Sequence, residues 1–195
     1  LLQFDLLARK YDRLFKRPVD DPLPGLVDVR PGVSVLDVGG GTGRNARALQ
    51  DAGAWVVVCD SSLKMLQEAA DRDLPVVRGD VAHLPFAAGA FDRVLVVDAF
   101  HHFVDPLPAV CQAQAIPELL RILKRAGLLV LEEPDIRKWQ TRLIAAAEQV
   151  LMMRSSFLPP QALVEGIERK GGLCVKRQEH GFSVELVFHK TGGEP

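Results

Sequence analysis

The sequence lacks most of the features that would place a chain outside the ordinary globular class. Its three cysteines, Cys59, Cys111 and Cys174, are far apart and odd in number. That excludes a disulfide framework and gives no metal-ligand spacing. A reducing, cytoplasmic location is the expectation. Long hydrophobic runs are missing: nothing approaches ~18 consecutive apolar residues, so no segment reads as a membrane span. Asp5, Arg9, Lys10, Asp12 and Arg13 interrupt the N-terminus, which therefore does not read as a signal peptide. The chain starts at Leu1 rather than at methionine, which fits a trimmed fragment. Charge of one sign is also missing, since 24 Lys and Arg stand against 25 Asp and Glu, a formal net charge of −1. A phosphate-tracking surface has no compositional support, and nucleic acid is not an expected partner. The basic run Arg9, Lys10, Arg13, Lys16 and Arg17 reads as the solvated face of a helix. There is no internal repeat and no low-complexity segment.

What is present is a chain of 195 residues with 48% apolar content. That is enough for one domain with a real core, spanning 1–195. Phe4, Leu7, Tyr11, Leu14 and Phe15 fall at helical spacing, and Pro18, Pro22 and Pro24 break the chain after them. Residues 1–24 thus form an N-terminal helix and loop. Buried strands are expected at Val33–Val38, Trp55–Cys59, Val76–Val77, Phe91–Val97 and Leu128–Leu131. Ser61 or Ser62 caps a helix carrying Leu63, Leu66, Ala69 and Ala70. Pro117 opens another helix, because proline suits a first helical position, and Gly127 stops it. A long helical region, Ile136–Met153, and a helix from Pro159–Pro160 to about Lys170 follow. Cys174–Gln178 and Val184–Phe188, joined at His180–Gly181, read as an antiparallel hairpin. Strands alternating with helices imply a mostly parallel sheet with helices on both faces.

The most informative stretch is Val35–Ala46, VLDVGGGTGRNA. An apolar strand ends in Asp37, Gly39, Gly41 and Gly43 follow at alternate positions, and a helix-compatible run begins at Arg44. A strand feeding a glycine turn into a helix brings bare backbone against a ligand. Ligands of open parallel sheets bind at the carboxyl ends of the strands. Four of those ends carry aspartates: Asp37, Asp60, Asp80 and Asp98.

The D-x-G-x-G-x-G pattern resembles the first motif of the class I S-adenosylmethionine (SAM) dependent methyltransferases. The resemblance continues in Gly79-Asp80-Val81 with Leu84-Pro85-Phe86, in Phe91-Asp92 with VLVVDAFHHF, and in the R-I-L-K-x-x-G-L-L-V-L segment. It covers nearly the whole chain and points to the small-molecule branch that includes the ubiquinone/menaquinone-biosynthesis C-methyltransferases. It implies a Rossmann-like, mostly parallel seven-stranded sheet with an antiparallel C-terminal strand. It implies SAM as cofactor and an enzyme that methylates a small, apolar or aromatic acceptor, acting as a monomer or homodimer.

Residue by residue, the resemblance assigns cofactor contacts to Asp37, Gly39, Gly41, Gly43, Asp60, Ser61, Met65, Asp80, Val81 and Asp98. A carboxylate at Asp60 can accept both ribose hydroxyls; it can equally cap the next helix. Asp80 would take the adenine amino group with help from the Val81 backbone, or form an Asx turn. Asp98 would sit near the methionine end. Tyr11 would reach the cofactor from a helix like the one that closes over SAM, or lie at the edge of a docking helix. His101, His102 and Glu133 are the candidate catalytic groups, as a base where the acceptor must lose a proton; the histidines can equally hold the loop. Asp92 reads as a structural charge. Phe100, Phe103, Trp139, Leu143 and Met152–Met153 are the expected acceptor wall, or plain core. Residues 134–160 occupy the place of a substrate lid.

Three departures stand out. Lys124-Arg125-Ala126-Gly127 replaces the family's K-P-G-G. Val110–Ile116 reads as extra length before the Pro117 helix. Glu132-Glu133-Pro134-Asp135 lies where lids vary. Two other readings compete. A NAD-dependent oxidoreductase has a weak G-x-G-x-x-A match from Gly41 to Ala46, and a non-catalytic SAM-binding or partner subunit would keep the same motif.

Overall fold

A computed structural model describes residues 5, 8, 12, 23–104, 108–150 and 154–191. Seven strands form one sheet: β1 Ser34–Val38, β2 Trp55–Asp60, β3 Val76–Arg78, β4 Phe91–Val97, β5 Leu123–Pro134, β6 Gly172–His180 and β7 Ser183–Lys190. Their spatial order is β3-β2-β1-β4-β5-β7-β6. The first five are parallel to their neighbours, while β7 runs antiparallel to both β5 and β6. The expected fold class is the observed one.

Strand side chains alternate between two apolar layers. Leu36, Val38, Val94, Val96, Leu129 and Leu131 face one cluster; Val35, Val56, Val58, Leu95, Val97 and Val130 face the other. Both faces are buried, which is why these strands read as continuous apolar runs. Helices cover each side. α1 (Leu23–Leu26), α2 (Arg44–Asp51) and α3 (Leu63–Ala70) pack through Leu23, Leu49, Leu66 and Ala69. On the opposite face α4 (Pro108–Ile122) and α6 (Pro160–Glu168) contribute Leu119, Ile122, Leu163 and Ile167. Pro160 takes the first position of α6, as read. α5 (Trp139–Val150) buries only Thr141.

Two expectations need correction. Pro117 does not open its helix: Val110–Ile116 precede it within α4, which runs from Pro108 and carries Pro117 inside it. Packing of Cys111, Ala115 and Leu119 decides against the local preference of Pro117 for a helix start. Gly127 does not stop that helix either. The chain enters β5 at Leu123, and its register against β4 shifts between the Phe91–Leu123 and Arg93–Leu128 pairs. Ala126 sits in this irregularity at φ 57°, a left-handed conformation that the family's glycine adopts without strain. Gly127 has no room for a side chain: a Cβ there would lie 2.9 Å from the Asp92 carbonyl oxygen.

Asp92 joins three strands at this end of the sheet. Its Oδ2 accepts hydrogen bonds from the Ser34 amide (3.0 Å), the Ser34 hydroxyl (2.6 Å) and Lys124 Nζ (2.9 Å). Burial alone would push its carboxyl up, but these donors outweigh that and hold the pKa at about 2. The structural charge read from the sequence is therefore a clamp between β1, β4 and β5.

Two outcomes follow. Ala126→Gly is expected to stabilise the fold by about 0.5–1 kcal/mol, since relief of left-handed strain exceeds the added freedom of the unfolded chain. A denaturant midpoint at or below that of the parent would refute it. Because the Asp92 carboxyl is depressed, its contribution is complete above its ordinary value of 3.8 and is lost as pH falls through about 2. Removing it with Asp92→Asn should cost on the order of 1–2 kcal/mol at neutral pH, after screening. The same variant should flatten the acid limb of the stability curve. An unchanged limb would show that the clamp carries no titrating charge.

Candidate active site

Chain reversal around β1 and β4 creates the site. From β1 the chain moves to β2 on one side; from β4 it moves to β5 on the other. The crevice above their carboxyl ends is a topological switch point. It holds a cavity of about 540 Å³ lined from β1, β2, β3 and β4 and the turns that follow them. Small-molecule sites commonly have this size, roughly 300–1,000 Å³.

The glycine turn forms the floor. Gly39 and Gly41 adopt φ 70° and 55°, where a side chain would be strained. Gly39 is needed for packing, since its Cβ would lie 2.6 Å from the Ala99 Cβ in the loop after β4. Gly41 differs: a Cβ there would meet only Met65 Sδ at 3.8 Å, so its bare backbone faces the cavity. Asp37 is wholly buried and does not line the cavity; a Cβ on Gly40 would come within 2.7 Å of its carboxylate. Gly43 is also off the wall, packed against Leu74 and Ala69. These two predicted contacts support the turn rather than a ligand.

Asp60 binds both neighbouring backbones. Oδ2 accepts from the Gly41 amide at 3.0 Å and Oδ1 from the Ser62 amide at 2.8 Å. Burial pushes its carboxyl up, against the lowering effect of these amides. Ser62, not Ser61, caps α3, accepting from the Met65 amide at 3.2 Å. Ser61 and Met65 line the cavity beside Asp60. Cys59 lines it too, its thiol pushed up to about 12 by burial, so it is neutral.

Asp80 and Val81 are on the wall. Asp80 also makes the Asx turn, with Oδ1 accepting from the Ala82 amide at 2.9 Å. The Leu84-Pro85-Phe86 segment is fastened to α4 by a pair the sequence did not reveal. Glu118 accepts from the Leu84 amide (2.8 Å), and Arg121 donates to the Phe86 and Leu84 carbonyls (2.8 and 3.1 Å).

Asp98 ends β4 at φ 49° and lines the cavity with Ala99, His102 and Phe103. His101 and Glu133 do not line it. Glu133 accepts from the amides of Ala99 (2.9 Å), Phe100 (2.8 Å) and His101 (3.3 Å), and meets His101 Nδ1 at 2.6 Å. Burial would keep both neutral, but their mutual attraction raises the His101 pKa and lowers that of Glu133. This buried pair folds the loop after β4. His102 behaves oppositely: burial and the adjacent His101 bring its pKa down to about 3, so it is neutral near pH 7.

The expected acceptor wall is largely overturned. Trp139 and Leu143 are exposed at 66% and 61%, because α5 turns that side outward. Phe100 is core. Phe103 does line the cavity, with Val97, Val104 and Cys111. Met152–Met153 and Tyr11 lie outside the described residues. From the N-terminal segment, helical Asp5 and Asp12 accept hydrogen bonds from the hydroxyls of Ser62 (2.6 Å) and Thr42 (2.7 Å), both cavity residues.

Comparison with known proteins agrees with this geometry. The methyltransferase domain model matches residues 36–131. A demethylmenaquinone methyltransferase from Mycobacterium sp. (strain JLS) is 33% identical over 212 residues, covering 97% of this chain and 88% of its own length. The chain belongs to the demethylmenaquinone methyltransferase family. Another relative of that name, from Beutenbergia cavernae, is 38% identical over 69% of this chain; the chain spans about half of its length, 53%. A SAM-dependent methyltransferase from Thermotoga maritima has the same fold, with a TM-score of 0.78 at 22% identity over 96% of this chain and 98% of that one. Membership of this family sets aside the oxidoreductase reading.

The family's cofactor is SAM, and the cavity suits it on two independent observations. Gly41 leaves a backbone cradle open to the cavity. At its rim, Arg44 has Nε and Nη1 buried with no hydrogen-bond partner among the described residues. A guanidinium in that state suits a carboxylate, which SAM carries on its methionine end. Arg44 was missed because its burial depends on how α2 docks, which no local pattern encodes. Arg78, Asn45 and Arg154 line the cavity as well and were missed for the same reason.

Asp60→Ala is expected to weaken SAM binding roughly tenfold or more, ~1.5 kcal/mol, through loss of hydrogen bonds to a charged acceptor. Calorimetric titration checks it, and an unchanged affinity would remove Asp60 from the cofactor site.

Proposed function

We propose that the chain transfers the methyl group of SAM to a small apolar or aromatic acceptor, with demethylmenaquinone as the first candidate. The observation that carries this reading is the cavity at the switch point, where the glycine cradle, Asp60, Asp80 and Arg44, whose buried Nε and Nη1 have no partner among the described residues, converge. The activity for which these relatives are named supports the choice of acceptor.

In this reading Asp60 accepts the ribose hydroxyls and Asp80, with the Val81 backbone, holds the adenine. Arg44 pairs with the carboxylate of the methionine end, and Asp98 stands near its ammonium. Bound SAM supplies a sulfonium that already activates the methyl group. The protein's contribution is alignment of the acceptor with the S–CH3 bond, an effect that reaches roughly 7–11 kcal/mol in well-ordered systems. Phe103, Val97 and Val104 give the acceptor an apolar face. His101 and Glu133 act on it indirectly, by fixing the loop that carries Phe103. Residues 1–24 serve as a cap over the cofactor, supported by the Asp5–Ser62 and Asp12–Thr42 hydrogen bonds. Cytoplasmic location is part of the same proposal; among the described residues no helix is long and apolar enough to cross a membrane.

Titration with SAM and S-adenosylhomocysteine beside NAD is expected to give micromolar binding of the first two and none of the third. Incubation with demethylmenaquinone and labelled SAM should then give a methylated quinone. Binding without transfer to any quinone or phenol would favour a non-catalytic SAM-binding subunit, and no SAM binding would overturn the proposal.

A further inference from the structure

One cluster beside the cavity brings together three side chains that can ligate a metal ion. His101 and His102, in the 3-10 turn Phe100–His102, face Glu148 on α5. One donor atom from each of the three lies within 4.8 Å of the others. Both imidazoles are oriented through their other nitrogen. His101 Nδ1 meets the Glu133 carboxylate at 2.6 Å, and His102 Nδ1 meets the Arg154 carbonyl at 3.3 Å. Nε2 of His102 stands 3.9 Å from Glu148 Oε1. The other oxygen of Glu148, Oε2, is buried with no hydrogen-bond partner among the described residues. The His101 ring is further fixed by stacking on Phe157, with centroids 4.3 Å apart and planes at 14°.

We propose that His101, His102 and Glu148 form a binding site for a divalent transition-metal ion. Two imidazoles and one carboxylate suit zinc or a neighbouring first-row ion, rather than magnesium or calcium, which favour all-oxygen sets. Carboxylate and carbonyl partners on the distal nitrogens are the outer-shell pattern that fixes ring orientation at such sites. Tetrahedral ligands at ~2.05 Å stand about 3.3 Å apart, so the three donors close by about 1.5 Å at most around an ion. The ion would supply the partner that Glu148 Oε2 lacks. It would also fasten α5 to the loop after β4. Three protein ligands leave a position for an exogenous oxygen donor, and His102 and Arg154 both line the cavity.

The test needs neither SAM nor an acceptor, so its outcome is separate from that of the methyl-transfer reading. Protein stripped with chelator is titrated with Zn2+ by calorimetry, and with Co2+ by visible absorption. One ion per chain is expected, with a Kd below about 100 μM and a rise in melting temperature. Glu148→Gln and His102→Gln are each expected to weaken binding roughly tenfold or more. His180→Gln, at the exposed end of β6, should leave it unchanged. Glu148→Gln keeps the shape of the side chain on a half-exposed helix, so it decides the matter if His102→Gln does not fold. Absence of stoichiometric binding would overturn the site. So would binding that Glu148→Gln leaves intact, or a Co2+ spectrum dominated by thiolate charge transfer.

Discussion

The wall of the cavity depends on one buried carboxylate. Glu133, near the end of β5, gathers three consecutive backbone amides and an imidazole from the loop after β4. An anion in so enclosed a place is tolerable only because every donor around it is supplied by the same short turn. That turn puts Ala99 against Gly39, close enough that a Cβ on Gly39 would collide. It also sets Phe103 and His102 on the cavity wall while His101 stays behind it. Glu133 thus couples the strand that adjoins the antiparallel hairpin to the glycine turn two strands away. Without it the amides of Ala99, Phe100 and His101 would have to be satisfied otherwise, and the floor and wall of the site would no longer share one geometry.

Polar groups around the cavity divide by whether they are already satisfied. Asp92, Glu118, Arg121 and Glu133 have their donors or acceptors within the fold, and their work is to hold strands and loops in place. Nε and Nη1 of Arg44 are buried without such partners among the described residues. Asp60 is intermediate, held by neighbouring backbone amides while burial still pushes its carboxyl up. A protein keeps such incompletely matched groups where a ligand completes them. The division separates scaffold from site more sharply than proximity does, since Asp37 sits under the glycine turn yet touches no part of the cavity.

Much of this was legible in the sequence, for reasons that differ by element. β1, β2 and β4 showed as apolar runs because both sheet faces are covered, and the acidic strand ends showed because each run stops at one. Gly39 and Gly41 showed because positive φ and close approach leave few residue choices. What escaped were features set by distant partners. Pro117 reads locally as a helix start, but Cys111 and Ala115 have core positions that carry α4 back to Pro108. Trp139 and Leu143 read as a buried stripe, yet α5 presents them to solvent. His101 and Glu133 were singled out as reactive types, and their spacing of 32 residues hides that they bond to each other. Arg44 escaped because a lysine-like surface role and a buried one look the same in one dimension.

The exposure of Trp139 and Leu143 bears on the acceptor. With that side of α5 outward, apolar contact inside the cavity comes from Phe103, Val97, Val104 and Cys111, all on or just after β4 and on α4. Those positions belong to rigid elements whose other side chains fill the core. An acceptor held there meets a surface fixed by packing, which favours orientation over adaptability.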